Sequence, residues 1–105
     1  MIKARVLMLL SSALLLAGCN WVKLSDSGSR IRVIDADEAT RCIKKGEVTA
    51  SVRDEVGPYS RNRQKVLDEV ETLARNDAGG LGANAIAPLG ELDAGERRYA
   101  AYDCP

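Results

Sequence analysis

The chain carries three cysteines, fifteen carboxylates and no histidine, so thiols and carboxylates are its most conspicuous chemical groups, and no motif supports Ser-Lys or Asp-Asp machinery. Carboxylate catalysis needs a partner that moves the proton, and the commonest general base is missing. Asp35, Asp37 and Glu38 are close enough in sequence to bind calcium loosely, since that ion takes oxygen ligands. The segment lacks the spacing and terminal Glu of an EF-hand loop, and it reads as a solvated acidic turn. The run Gly79-Gly80-Leu81-Gly82-Ala83-Asn84 also has the outline of a site. Phosphate loops, however, place their glycines between a strand and the following helix, so that the positive helix end meets the anion. Here the run ends a helical stretch and leads into a strand, and the position three after Gly82 is Ala85. A helix stop is the expected role, with Asn84 hydrogen-bonding free backbone groups at the corner. No catalytic, cofactor-binding or metal-ligating residue emerges. The chain is expected to be no enzyme and to need no cofactor.

Cys19 sits in a different setting. Lys3 and Arg5 precede an uncharged run from Val6 to Gly18. A positive start, an apolar stretch and small residues before a cut site make a secretory signal peptide over residues 1–18. The run is short for a bilayer span, which takes about 20 apolar residues. Leu16-Ala17-Gly18-Cys19 resembles a bacterial lipobox. That resemblance implies cleavage before Cys19 and lipidation of its sulfur and amino group, with palmitate among the acyl chains. Cys42 and Cys104 are then the remaining thiols, and the exported compartment is oxidising. Two cysteines allow a single intramolecular pairing. A Cys42–Cys104 disulfide would close a loop of about 60 residues and stabilise the fold by roughly 4 kcal/mol. An intermolecular bridge and a reactive thiol pair are the alternatives. Zinc fits poorly, because two sulfurs without histidine leave it under-coordinated.

Cleavage leaves 87 residues from Cys19 to Pro105, with 13 basic against 15 acidic groups. That length is one small domain. No segment concentrates positive charge beyond pairs such as Lys44-Lys45 and Arg97-Arg98, which excludes the basic stripe a nucleic-acid partner requires. With no Phe, one Trp and three Tyr, the core must be aliphatic. Small domains bury a lower fraction of their surface, so a staple matters.

The elements that would position these residues follow from periodicity. Residues 19–29, ending in Ser-Asp-Ser-Gly-Ser, read as a lipid-anchored tether. If flexible, its ten residues after the anchor span about 17 Å on average and about 35 Å fully extended. Trp21 and Val22 either rest in the headgroup layer or pack on the domain. Arg30–Ile34 has strand alternation, and Asp35–Thr40 is turn-like. Glu47–Arg53 is a strand with Val48, Ala50 and Val52 on one face, and Gly57-Pro58 turns the chain. A helix is predicted from about Ser60 or Asn62 to about Gly80, with Val66, Val70, Leu73, Ala74 and Ala78 facing the core and Leu81 continuing the stripe. Gly82 supplies left-handed geometry beyond its end. Residues 84–92 form a strand in which Pro88 demands an edge or a bulge. After a turn at Asp93-Ala94-Gly95, residues 96–104 form the last strand. Tyr99 and Ala101 share one of its faces; Ala100, Tyr102 and Cys104 share the other. The prediction for residues 30–105 is an α+β, ββαββ two-layer domain, one long helix on a small, mainly antiparallel sheet.

Ile31-Arg32-Val33, Cys42 followed by Gly46, Arg75-Asn76-Asp77-Ala78, Leu81-Gly82-Ala83-Asn84 and Tyr102-Asp103-Cys104-Pro105 together carry a likeness. The chain resembles a family of small proteobacterial lipoproteins known as a domain of unknown function. More distantly it is similar to the outer-membrane Rcs stress-sensor lipoprotein. The resemblance implies an α/β domain with a Cys42–Cys104 bridge and supplies no activity. Asn20 after the anchor, rather than Asp, implies sorting to the outer membrane. The expected function is a non-enzymatic interaction or envelope-stress protein, held to the membrane by lipidated Cys19, facing the periplasm and docking an envelope partner. The alternative is a periplasmic binding module for a peptide, glycan or small ligand, using a pocket or an open sheet edge near Pro88.

Overall fold

The computed structural model describes residues 22–105. The signal segment 1–18, Cys19 and Trp21 lie outside the described residues. The chain runs through α1 (Asp26–Ser29), β1 (Arg32–Val33), a 3-10 turn (Glu38–Arg41) and β2 (Ile43–Ser51). It continues through β3 (Glu55–Val56), β4 (Tyr59–Ser60), α2 (Arg63–Gly79), β5 (Ala85–Asp93) and β6 (Glu96–Asp103).

Helix α2 begins where the side-chain oxygen of Asn62 accepts from the N–H groups of Gln64 and Lys65, at 2.9 and 3.3 Å, two donors that a helix start leaves without partners. Val66, Val70, Ala74 and Ala78 recur every fourth residue and are all buried. Gly80 caps the end and Gly82, at φ +73°, turns the chain into β5. Leu81 departs from the predicted stripe. It lies past the last helical turn and is 42% exposed.

The main sheet has the order β1-β5-β6-β2, with β1 parallel to β5 and the other pairs antiparallel. Helix α2 covers one face, against Ile31, Val48, Ala50, Ile86, Tyr99 and Ala101. This is the predicted α+β architecture of one long helix on a small sheet. The alternation of β6 holds: Tyr99 and Ala101 enter the helix-side core, while Tyr102 and Cys104 pack on the opposite face. On that face residues 34–42 form a partial cover, in which Ile34 and Ala39 bury Ala85 and Ala87.

Three details differ from the ββαββ expectation. The first strand shrinks to two residues, Arg32 and Val33, which pair parallel with Ala85 and Ile86, while Ile31 and Ile34 keep the opposite faces that strand alternation assigns them. Gly57-Pro58 does not merely end β2. It forms the tip of a separate hairpin, β3–β4, with Gly57 at φ +60°, the positive φ that a two-residue hairpin turn requires at its first position. Part of the segment 19–29, expected to be a tether, is also held on the domain. Residues 26–29 form α1, which packs on the C-terminal part of α2.

Pro88 meets the first of its predicted alternatives, an edge position. The carbonyl of Ile86 accepts from Ile34 N–H on the β1 side, so Pro88, two residues on, presents its nitrogen to the same side. By then β1 has ended, and no ladder bond is lost. A bulge follows between Leu89 and Asp93, where Gly90 has φ +92°. In the β5–β6 turn Gly95 stands at φ +77° against the Val52 carbonyl, and its own carbonyl accepts from Val52 N–H at 2.9 Å. Glycine is required there on both counts.

The hairpin is latched at its base by Arg61. Its backbone N–H donates to the Asp54 carbonyl at 2.7 Å, and Nη1 donates to the Arg53 carbonyl at 2.9 Å. The guanidinium also binds Glu69 of α2 through two hydrogen bonds of 2.9 and 2.6 Å. The Arg61 hydrogen bonds hold the Glu69 carboxyl below the usual carboxylate range. A carboxylate with a lowered folded pKa adds stability that is present above its unfolded pKa and lost as pH falls through the folded one. Amide protection in residues 54–61 should therefore be steady near neutrality and fall below about pH 4. Glu69→Gln should flatten that dependence and lower protection at neutral pH. Hydrogen-exchange mass spectrometry reads both; identical protection in the two proteins would remove Glu69 as the latch.

Candidate functional site

A concavity among the described residues lies on the back of the sheet, where the cover formed by residues 34–42 meets the end of β6. It is an open cleft of about 450 Å³. The Cys42–Cys104 disulfide forms part of its wall, with Ile34 beside it and Arg32, Arg41, Asp37 and Glu38 around it. The bridge joins Cα atoms 4.3 Å apart across 62 residues of sequence. The predicted pairing is present, so the two sulfurs are occupied with each other and neither is a free nucleophile.

Asn84 supports this corner from behind. Its Nδ2 donates to the Cys104 carbonyl at 2.8 Å, and its Oδ1 accepts from the Cys104 N–H at 2.8 Å. Its backbone N–H donates to the Tyr102 carbonyl, and its own carbonyl accepts from Arg32 N–H. The side chain thus extends the β5–β6 ladder by one pair of hydrogen bonds, as a further backbone residue would. The expected backbone role of Asn84 is the one it takes.

The acidic turn is likewise used locally. Asp35 Oδ1 accepts from Glu38 N–H at 2.9 Å, which starts the 3-10 turn that carries Ala39 into the core. Asp37 and Glu38 remain exposed on the cleft rim. Arg32 and Arg41 line the same cleft and are also exposed, and among the described residues neither guanidinium is in an ion pair or a side-chain hydrogen bond. Two guanidinium forks suit carboxylate or phosphate oxygens, and two carboxylates suit an amine. The glycine run closes α2 and opens β5, as its order in the chain requires. Gly79 also lets α1 approach, since a Cβ there would lie 2.6 Å from Ser27 Oγ.

Asn76 carries a function that its position in the helix did not announce. Its Oδ1 accepts from Ser25 N–H at 2.7 Å and its Nδ2 donates to the Lys23 carbonyl at 2.8 Å. Ser25 in turn caps α1 by accepting from Gly28 N–H at 2.9 Å. Arg75 Nε donates to the Ile31 carbonyl at 3.0 Å. The Arg75-Asn76 pair therefore fastens the entering chain to the end of α2. A polar residue on a helix reads as a solvated face unless its distant partner is known, so this clamp had no local signal.

Residues 22–104 match the family described as Domain of unknown function (DUF4156), and the chain belongs to that family. No curated protein and no solved structure matches it.

Proposed function

We propose that this member of a family without an assigned activity is a lipid-anchored, non-enzymatic envelope protein. Cys19 carries the lipid, the outer membrane is the destination implied by Asn20, and the domain works at the periplasmic face by contact with another envelope component. The observation that carries this reading is the Asn76 clamp. It fixes the chain at Lys23, so that Asn20, Trp21 and Val22 alone separate the anchor from the held chain, a reach of about 14 Å from Cys19 to Lys23. A protein so tightly apposed to a membrane is placed to meet neighbours rather than to sample the periplasm. The absence of histidine and the commitment of Cys42 and Cys104 to a bridge support a contact role over catalysis.

Metabolic labelling with palmitate, membrane fractionation and crosslinking in intact cells test the proposal together. Label on the wild-type protein, none on Cys19→Ser, outer-membrane sedimentation and a discrete crosslinked adduct are the expected results. An unlabelled, soluble wild-type protein would overturn the anchor; labelled protein that yields no adduct under envelope stress would overturn the contact role. The alternative, a binding module for a peptide, glycan or small ligand, is favoured by one feature, the cleft flanked by Arg32 and Arg41.

A further inference from the structure

The clamp also determines which end of the domain meets the bilayer, an inference that rests on the lipidation of Cys19 proposed above. Asn76, which holds Lys23 and Ser25, lies one turn before the C-terminus of α2. Close approaches mark that end. Leu24 lies against Gly28, Gly28 against Asn76, and Gly79 against Ser27. Two residues beyond Gly79, Leu81 packs over Gly46 of β2, and Lys45 sits beside it where the β2–β6 register shifts. Leu24 and Leu81 are 40% and 42% exposed. Lys23, next to Leu24, and Lys45, next to Gly46, are exposed, as are Arg30, Asp26 and Asp77 on the segments that meet at this end.

Two apolar tips with three cations on these segments form a surface that an anionic phospholipid leaflet accepts. The leucines enter the boundary between headgroups and acyl chains, and the basic side chains stay at the phosphates. The short reach from Cys19 keeps Lys23 and Leu24, and with them the end of α2 to which Asn76 fastens Lys23, close to the leaflet. The N-terminus of α2, with the β3–β4 hairpin beside it, lies about 25 Å away along the helix axis. We infer that Lys23, Leu24, Lys45 and Leu81 form a membrane footprint for anionic phospholipid. The domain stands on the C-terminal end of α2 and presents the hairpin, with its exposed Val56 and Tyr59, away from the bilayer.

Full-length protein extracted from membranes, with acylation confirmed by the mass of its Cys19 peptide, provides the test. It is reconstituted into vesicles of phosphatidylcholine and phosphatidylglycerol, and separately into phosphatidylcholine vesicles, neither of which carries a reactive amine, then exposed to a water-soluble amine-modifying reagent. Lys23 and Lys45 should react about fivefold more slowly on the anionic vesicles, the factor expected for one basic group held at such a surface. Lys65, in the first turn of α2, should react equally on both. Equal rates at all three lysines, on acylated protein, would overturn the footprint and leave the anchor standing. A Cys19 peptide without acyl mass would overturn the anchor, and the footprint with it.

Discussion

Replacing Cys42 and Cys104 together by serine should lower the melting temperature by about 15–30 °C. The bridge closes a loop of 62 residues, and in the chain-entropy treatment that restriction of the unfolded chain is worth about 4 kcal/mol. In a domain of this size each kilocalorie moves the midpoint by about 4–8 °C. The folded state has its own reason to need the bond. Residues 34–42 cover the back of the sheet with only Ile34 and Ala39 fully inserted, and the two-residue β1 gives that cover little ladder to hang from. Without the bond, Ala85, Ala87 and Tyr102 lose part of their cover as the segment lifts. Calorimetry on the wild type, the double serine variant and the reduced wild type checks this, and the last two should agree. An unchanged midpoint in both would place the bridge outside the cooperative unit and return it to a regulatory role.

The parts of this fold that could be read in advance are those whose burial follows a local period. Val48 and Ala50 alternate with exposed neighbours, and Val66, Val70, Ala74 and Ala78 recur at four, so one buried face per element was visible in each run. Pro88 and Gly82 spoke through backbone geometry alone. What stayed hidden depends on partners far away in sequence. Ser25–Ser29 reads as a linker because it is short and polar; it is ordered by Asn76, 51 residues on. The parallel pairing of β1 with β5 has no local mark, since two residues carry no period. The β3–β4 hairpin is hidden for the same reason, and its latch joins Arg61 to a glutamate two helical turns away. Of the site, the cysteine pair was legible because the expected lipidation of Cys19 leaves Cys42 and Cys104 a single intramolecular pairing. The cleft beside it was not, because Arg32 and Arg41 come together only once the 34–42 segment folds over the sheet.

Asn84 should prove nearly as costly to lose as the bridge it supports. Asn84→Ala removes both side-chain hydrogen bonds and leaves the Cys104 N–H and carbonyl without those partners in a half-buried position. At about 1–3 kcal/mol for each orphaned group, discounted because water reaches part of the site, the expected loss is about 2–3 kcal/mol. Asn84→Asp separates the two halves of the clamp: the carboxylate still accepts from the Cys104 N–H but faces the Cys104 carbonyl with no donor. It should be at least as destabilising as alanine at neutral pH and recover in acid, when protonation restores a donor. Denaturant unfolding of the two variants at neutral and acidic pH checks this; equal recovery by alanine would show that the clamp is not the cause. The bridge and the amide act on the same residue, so their effects should not add. With the disulfide cut, the Asn84 amide is the remaining side-chain fastening of Cys104 among the described residues, and its replacement should cost more in the serine background than in the wild type. A strictly additive cycle would mean that the two fastenings work independently.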